Sequence, residues 1–332
     1  MKKHTLSVVL AAALLTGCAE SGGSVMQTES RAETQMHSAP DPFAAEESPA
    51  NRSDDPPSYR CELPAAGQQQ PVAFSDEISL PFTLDIEGCD AEYRALVFCD
   101  GILQDVKIMQ NGEMLPGADF TLKEREINEL AAVFRPVTAG TAPAVLSFSV
   151  LYDPSFAPES AQTQYGHHHR LMINLNASLE AGFADAKDDI AAAEPVPVSE
   201  SVQKKHLVQT DGGTKNQLAD GTFFELENCS GDTRSIGIRR GDSVLLRLAG
   251  GALTGTWRVS AYCDHQQVAA FDGKCYLDMT ADAQTMTEYT VPMDAFPVPE
   301  AAYSTVYFIA APLDRTHELM KTHPLVLVRD ES

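Results

Sequence analysis

The sequence lacks the short motifs that mark the common catalytic sites. Among its 332 residues there is no Gly-x-Ser-x-Gly elbow, no His-Glu-x-x-His pair, no glycine-rich phosphate loop and no regular calcium loop of alternating acids. Carboxylates are plentiful, but no two of them stand out as an acid and its base. We therefore expect a protein that is not an enzyme, with no catalytic residues and no cofactor.

Basic residues are scarce as well. The chain has 24 Lys and Arg against 47 Asp and Glu, which gives a formal net charge of -23. Binding to phosphate backbones and to anionic lipid headgroups depends on Lys and Arg that neutralise negative charge. The composition thus argues against nucleic acid as a partner, but it does not exclude a cationic ligand.

The apolar run at the N-terminus, residues 6–15, is too short for a membrane span, which needs roughly 20 residues. It follows Lys2 and Lys3 and ends in Leu15-Thr16-Gly17-Cys18. A basic start, a short apolar stretch and small residues before a cysteine are typical of a secretory signal. The chain is therefore expected to leave the cytoplasm.

More narrowly, Leu15-Thr16-Gly17-Cys18 resembles the lipobox of bacterial lipoproteins. The resemblance implies that residues 1–17 are a signal peptide cleaved before Cys18 and that the Cys18 thiol carries a fatty-acylated lipid. It also implies a protein held by that lipid on the extracytoplasmic face of a bacterial membrane, the outer membrane if the host is Gram-negative.

Residues 18–60 predict an acidic tether. Its first forty residues are rich in Ser, Glu, Ala, Gly and Pro and nearly free of β-branched and aromatic residues. Such a segment cannot bury enough apolar surface to offset the entropy of ordering. About 40 residues of flexible chain reach roughly 35 Å. The segment is either a spacer through the envelope or a tail of no particular length.

Six cysteines follow Cys18. They are Cys61, Cys89, Cys99, Cys229, Cys263 and Cys275. Outside the cytoplasm an even number permits a disulfide framework, although sequence cannot choose among its connectivities. None has the close paired spacing of a zinc site. A first antiparallel hairpin could bring Cys61 and Cys89 together as a disulfide.

After Cys61 the pattern indicates strands. Apolar residues at every second position alternate with polar ones, and clusters of Gly, Asn, Asp and Pro separate the runs. Asp100-Gly101 and Asn111-Gly112 predict tight hairpin turns. Residues 123–134 have helical propensity, but we favour a strand in their second part. The predicted strands of the first half cover residues 78–86, 93–99, 106–109, 145–152 and 171–179.

The second half of the chain repeats features of the first in the same order. The matched pairs are Tyr93-Arg94 with Trp257-Arg258, Cys99-Asp100 with Cys263-Asp264, Asn111-Gly112 with Asp272-Gly273, Pro154 with Pro312, and His169 with His323. Upstream, residues 82–89 resemble residues 223–229, since both runs are strand-like and end in a cysteine. The shared order predicts two copies of one β domain.

Each copy has the size, strand count and aromatic placement of a β-sandwich. Tyr93 and Trp257 are expected to fill the space between facing sheets, while the next residue of each strand points the opposite way. The chain resembles the immunoglobulin-like and fibronectin type III class without the cysteine-tryptophan-cysteine spacing of true immunoglobulin domains. We predict an all-β protein of two tandem sandwiches, residues 61–180 and 199–332, with a linker at 181–198 that includes a helical turn or two.

The run His167-His168-His169 is a weak metal candidate. On a strand only His167 and His169 would share a face, and a third ligand would have to come from elsewhere. A non-enzymatic binding or spacer role at the cell envelope is the leading hypothesis, with an unknown extracellular protein or glycan as ligand. Loops at residues 153–165 and 292–302 are the candidate binding segments. The alternatives are a secreted metal-dependent protein or enzyme that uses residues 167–169, and a purely structural stalk.

Overall fold

The computed structural model describes residues 58–67, 71–126, 128–140, 143–180, 183, 189–210, 213–228 and 237–329. These residues belong to one compact unit, Arg52–Ser332. Cys18, Cys229 and most of the predicted tether lie outside the described residues. The protein is nearly all β, as predicted, and its one described α-helix is six residues long. No helix among the described residues has the length and hydropathy of a membrane span.

The first half folds into two sheets that face each other. One has the order β1-β2-β8-β5-β6, and the other has the order β10-β9-β3-β4 with β7 also paired to β3. The strands are β1 Ser58–Glu62, β2 Ile78–Glu87, β3 Ala91–Cys99, β4 Ile102–Leu103, β5 Lys107–Gln110, β6 Glu113–Met114, β7 Asp119–Leu122, β8 Leu130–Phe134, β9 Ala144–Tyr152 and β10 Leu175–Leu179.

The second half repeats this layered arrangement. One sheet has the order β11-β20-β18-β22-β24-β16, and the facing sheet has the order β12-β21-β17-β15. The elements are β11 Ile190–Ala192, β12 Val196–Pro197, α1 Glu200–Lys205, β13 Leu207–Thr210, β14 Gly213–Asn216, β15 Thr222–Asn228, β16 Gly237–Ile238, β17 Ser243–Gly250, β18 Gly255–Cys263, β19 Gln266–Val268, β20 Tyr276–Ala281, β21 Thr285–Pro292, β22 Tyr303–Pro312, β23 Met320–Lys321 and β24 Leu325–Val328.

Local sequence patterns explain where the strands form. In β2 every second residue is buried and its neighbours are exposed, because successive side chains of a strand point to opposite faces. The predicted strands at 78–86, 93–99, 106–109 and 145–152 all lie on observed strands. The second part of residues 123–134 is strand β8, as favoured. Of the strand predicted at 171–179, only the last five residues form β10.

The structure describes residue 183 and residues 189–198 of the predicted linker. Residues 189–197 form the short strands β11 and β12, which pair with β20 and β21 of the second half. They contain no helical turn. A helix begins after the linker, at Glu200, where Ser199 caps α1 by accepting from the amide of Val202. The domain boundaries 61–180 and 199–332 stay a prediction.

The repeat appears in the structure as equivalent strands. β3 corresponds to β18, and β9 corresponds to β22. β3 pairs with β9 in an antiparallel ladder, and β18 pairs with β22 in the same way. One predicted match is displaced by a strand. The strand that precedes β3 is β2, whereas the strand that precedes β18 is β17, so residues 78–87 correspond to residues 243–250 rather than to 223–229. The predicted match was based on the cysteine at the end of each run. Equivalent strands are defined by their order in the fold and not by a shared residue type.

The same turn chemistry closes both copies. Asp100 and Asp264 both adopt positive φ directly after their strands. The Asp100 carboxylate accepts a hydrogen bond from the Val145 amide at 2.9 Å, and the Asp264 carboxylate accepts one from the Thr305 amide at 2.7 Å. Each aspartate thereby ties its β3 or β18 turn to the start of β9 or β22.

Four apolar cores hold the described residues together, the smallest of them beside α1. Tyr93 lies in the core of the first half and Trp257 in that of the second, and both are buried, as are Cys99 and Cys263. The third core joins the outer faces of the equivalent sheets. It consists of Leu96, Phe98, Leu151, Tyr262, Tyr307, Ile309, Ala311 and Leu319. The two halves are therefore packed directly against each other through apolar surface.

The first hairpin exists, but it does not bring Cys61 and Cys89 together. Cys61 lies opposite Leu84 in the β1–β2 ladder, and Cys89 is five residues further along the chain. Five strand residues span roughly 16 Å, whereas the Cα atoms of a disulfide are about 6 Å apart. Both cysteines are free thiols, as are Cys99, Cys263 and Cys275.

Candidate ligand cleft

A cleft of about 390 Å³ opens where β3 and β7 meet the segment after β9. This volume lies at the lower end of the range for small-molecule sites. The lining residues are Glu92, Arg94, Gln110, Leu115, Pro116, Asp119, Phe120, Thr121, Pro154 and Ser155. Pro154 and Ser155 belong to the predicted binding loop 153–165. We refer to this site as the β3–β7 cleft.

The cation that lines the cleft is already engaged. Arg94 faces Asp119 across the β3–β7 ladder and donates from Nε and Nη2 to its two carboxylate oxygens at 2.6 and 2.7 Å. This two-pronged geometry satisfies the guanidinium and the carboxylate together. Asp119 remains 54% exposed, so its oxygens also face solvent at the cleft.

Glu92 supplies a second carboxylate at the rim. Its backbone carbonyl accepts from the amide of Asp153 at 2.9 Å, which ties β3 to the segment after β9. Its side chain is exposed and forms no ion pair with the other described residues. With Arg94 neutralised by Asp119, the lining carries one unbalanced negative charge.

The wall of the cleft is held from the second half of the chain. His265, which follows β18, donates from Nε2 to the Pro154 carbonyl at 2.6 Å. A carbonyl oxygen can only accept, so the proton is on Nε2 and the other ring nitrogen, Nδ1, accepts from the Tyr307 hydroxyl at 2.8 Å. The tautomer of His265 is thus fixed by its two partners.

Aromatic contacts pack the rest of the segment 153–169, which we call the wall segment. Phe156 stacks on His168 with ring centroids 4.0 Å apart, and His168 Nδ1 lies 2.7 Å from the Asp153 carboxylate. The buried Tyr165 hydroxyl donates to Thr305 Oγ1 at 3.0 Å. The wall segment is therefore attached to the second half at both its ends.

The three consecutive histidines lie in a turn, not on a strand. His167 is half-buried, His168 pairs with Asp153, and His169 is buried at positive φ between the two halves. His167 and His169 therefore do not share a strand face as the sequence predicted. Within the described ranges no group of three or more His, Cys, Asp or Glu side chains is placed to hold a metal ion.

The buried basic groups near the wall are shifted toward their neutral forms. Burial, with the nearby charges of His265 and Lys321, lowers the pKa of His169 to about 3. Burial, with the charge of Arg94, lowers the pKa of His265 to about 4. Burial also lowers the pKa of Lys321 to about 7. Desolvation disfavours the protonated form of each group.

The second predicted binding loop does not line the cleft. Residues 292–302 begin with a 3-10 turn, and Met293 and Phe296 are buried in the core of the second half. Another cleft of about 290 Å³ lies beside β13, β14 and β15, where the pair Lys215–Asp220 is 2.8 Å apart. Of the two predicted loops, 153–165 lies at a cleft, whereas 292–302 buries Met293 and Phe296 and leaves Val298 exposed.

No family model matches this chain, and no curated protein matches it. Among the solved structures that are similar in part, three show how far the likeness extends. A protein of unknown function from Porphyromonas gingivalis has 12% identity over 81% of this chain and 99% of that chain, with a TM-score of 0.20. The C-terminal domain of the Streptococcus pyogenes antigen I/II-family protein AspA has 6% identity over 82% and 98%, with a TM-score of 0.16.

The third similar structure is the CupB6 tip adhesin from Pseudomonas aeruginosa. It has 8% identity over 82% of this chain and 99% of that chain, with a TM-score of 0.14. Likeness at these scores carries no information about function, so the site must be interpreted from its own residues.

Proposed function

We propose that this chain is a lipoprotein, anchored through Cys18 on the extracytoplasmic face of a bacterial membrane, that binds an extracellular ligand without catalysis. The lipobox-like Leu15-Thr16-Gly17-Cys18 supports the anchor. The β3–β7 cleft carries the binding role, because a loop predicted to bind from sequence forms its wall on a rigid β scaffold.

The charges of the cleft favour a ligand with a basic group. Arg94 is committed to Asp119, so an anionic ligand would find no free cation in the lining. Glu92 and the exposed oxygens of Asp119 are available to an ammonium or a guanidinium. The net charge of -23 would speed the approach of such a ligand.

The apolar part of the lining suits the stem of a long basic side chain. Leu115, Pro116, Phe120 and Pro154 lie beside the charged residues. Lys and Arg pack their methylene stems against apolar surface while the charged head stays in polar surroundings. We therefore propose a protein partner that inserts a Lys or Arg side chain.

Binding of short peptides to the full-length chain tests this proposal. Peptides with a central arginine should bind, and the same peptides with citrulline, which has nearly the same shape but no charge, should not. Glu92→Gln should weaken binding by about tenfold, the effect of one charge-assisted hydrogen bond. Glu87→Gln, an exposed residue of β2 outside the cleft, should leave it unchanged.

Equal binding of arginine and citrulline peptides would contradict the proposed ligand class. Binding of arginine peptides that is unaffected by Glu92→Gln would place the site elsewhere. A glycan ligand would be indicated if glycans bound and every peptide failed.

A rigid spacer is a second candidate function. The apolar core shared by the two halves favours it, since such an interface keeps the sandwiches from moving independently. Cells that carry Glu92→Gln distinguish the two roles. A spacer would keep its function at the cell surface, whereas a receptor for basic side chains would bind its partner about tenfold more weakly.

A further inference from the structure

We propose that an extended segment of the protein partner adds as a short strand to the free edge of β7, in the way that β11 adds to β20 in the second half. The proposal rests on the function proposed above, since it describes how the partner's backbone is held while its basic side chain occupies the β3–β7 cleft. Three features of the described residues support it, namely the direction of the backbone groups of β7, the equivalent strand of the repeat and the charges beside the edge.

β7 lies at the edge of its sheet. Among the described residues it pairs with β3 alone. The Ala95 amide donates to the Ala118 carbonyl at 3.0 Å in the register of this ladder, so Asp119 and Thr121 direct their backbone groups away from β3. The Thr121 carbonyl accepts from the Gln110 side chain at 3.0 Å. The outward amide and carbonyl of Asp119 are groups to which a further strand can bind.

The second half shows the equivalent edge in its paired state. Arg94 lies opposite Asp119 in the β3–β7 ladder, and Arg258 lies opposite Asp278 in the β18–β20 ladder. Each arginine binds its aspartate through Nε and Nη2. Asp119 therefore corresponds to Asp278, and β7 corresponds to β20. The outer edge of β20 is covered by β11 in a parallel ladder.

The ladder of β11 and β20 supplies the geometry for an added strand. Ala192 lies opposite Asp278, and the amide of the next residue, Ala193, donates to the Asp278 carbonyl at 3.1 Å. Paired residues of neighbouring strands present their side chains on the same face of the sheet. A segment added to β7 in this way would donate an amide to the Asp119 carbonyl.

The side chains of β11 indicate which segment would fit. Ala191 and Ala193 pack against the core of the second half, while Ala192 between them is exposed. A segment on β7 should therefore have small apolar residues on both sides of the residue opposite Asp119. That central residue would lie on the face that carries the Asp119 carboxylate and Glu92, so a Lys or Arg there would meet both charges.

A basic segment of another protein suits this edge better than a second copy of the chain. Two copies joined through β7 would bring their Asp119 side chains near each other, and like charges on paired strands are destabilising. The net charge of -23 also opposes association of two copies. The edge therefore favours a partner that carries the opposite charge.

Binding of capped peptides to the full-length chain tests the strand addition. The parent peptide has the sequence of residues 189–194 with Ala192→Arg. N-methylation of the amide at position 193 should weaken binding by at least about tenfold, because it removes the donor for the Asp119 carbonyl. N-methylation of the amide at position 192 is the matched control. This amide points away from the edge, so the control peptide should bind as the parent does.

Amide exchange of the full-length chain, measured by NMR, locates the added strand. With the parent peptide at about ten times its Kd, exchange of the Asp119 amide should slow about tenfold, because only the unbound fraction exchanges freely. The Phe120 amide points toward β3 and should change much less. Protection of the Asp119 amide before any peptide is added would show that the edge is already paired, and it would overturn the proposal.

The failure of strand addition is distinguishable from the failure of the proposed function. If arginine peptides bind and the two N-methylated peptides bind equally well, or if the Asp119 amide stays unprotected, strand addition is wrong and the basic ligand class is retained. If the parent peptide and its citrulline form bind equally while N-methylation at position 193 abolishes binding, strand addition is supported and the ligand class is wrong.

Discussion

Arg258 reaches from the second half of the chain to the first and donates from Nη1 to the backbone carbonyl of Asp100 at 2.6 Å. Its Nε and Nη2 bind both oxygens of Asp278 at 2.8 Å within its own sheet. A single guanidinium, 6% exposed as a residue, thus joins a cross-strand ion pair to the contact between the halves.

Arg258→Ala should lower the free energy of unfolding by about 3 kcal/mol, because it leaves Asp278 without its partner in a mostly buried site. Arg94→Ala is the matched control at the equivalent position of the repeat. Its partner Asp119 is half exposed, so the loss there should be about 1 kcal/mol. Urea denaturation monitored by circular dichroism measures both. If Arg258→Ala and Arg94→Ala lowered the free energy of unfolding equally, the proposed role of Arg258 in the interface would be contradicted.

Gly101→Ala should also destabilise the contact. A Cβ atom at Gly101 would lie 2.4 Å from the Cβ of Arg258, and the residue has a φ of +71°. The steric overlap and the unfavourable backbone conformation together should cost about 3 kcal/mol. Gly112→Ala has the same kind of φ, +82°, with no atom within 4 Å, and should cost about 1 kcal/mol. The difference in unfolding free energy between Gly101→Ala and Gly112→Ala measures the cost of the contact with Arg258.

Asp264→Ala should cost about 1 to 2 kcal/mol, since it removes the acceptor of the Thr305 amide. Asp264→Asn should cost less, because an asparagine keeps a side-chain carbonyl and tolerates the φ of +45°. Thermal unfolding of the three proteins gives the order. If the alanine and asparagine variants were equally unstable, the turn hydrogen bond would not be the cause.

The stability of the chain should fall as the pH decreases from 7 to 5. The pKa of His169 is lowered from 6.5 to about 3 in the folded chain, mainly by burial. Its contribution to stability is therefore complete above pH 6.5 and is lost as the pH falls toward 3. In His169→Asn, which suits the positive φ at this position, the decrease between pH 7 and pH 5 should be smaller.

The exposed His323 supplies the control for this pH dependence. His323→Asn should show the same decrease in unfolding free energy as the wild-type chain. A decrease in His169→Asn as large as in the wild type would assign the acid sensitivity to other groups.

Cys18→Ser should abolish metabolic labelling of the protein by a fatty acid and move it from the membrane to the soluble fraction of the cell. One acyl chain binds a membrane only marginally, whereas the multiple chains of a lipoprotein anchor hold it stably. Cys89→Ser, at an exposed cysteine, should change neither result. Retention of the label in Cys18→Ser would rule out the lipobox interpretation.

The sequence predicted the elements whose signals are local. Alternation along residues 78–86 and the Asp100-Gly101 and Asn111-Gly112 turns gave strands and hairpins that the structure contains. The repeat was also readable around Tyr93 and Trp257, because the strand and its capping aspartate recur as a unit. The match upstream was wrong by one strand, since cysteine spacing does not encode strand order.

The interface between the halves leaves a signal in the sequence of the strands that form it. Strands β3 and β22 end in long apolar runs, while β9 and β18 have serines between their apolar residues, and in all four strands successive residues are buried. A strand that is buried on one face alternates, whereas one buried on both faces does not. The runs therefore indicated a second layer of packing on the outer face of each central sheet.

By itself, the amino-acid order determined the all-β class, most of the predicted strand and turn positions of the first half and the lipobox-like start, because each depends on neighbours within a few residues. Only the tertiary structure decided that Cys61 and Cys89 stay apart, that His169 is buried against His265 and that Pro154 becomes the wall of a cleft. Those relationships involve residues that are distant in the sequence, in one case 111 positions apart. They depend on which faces of the sheets pack together.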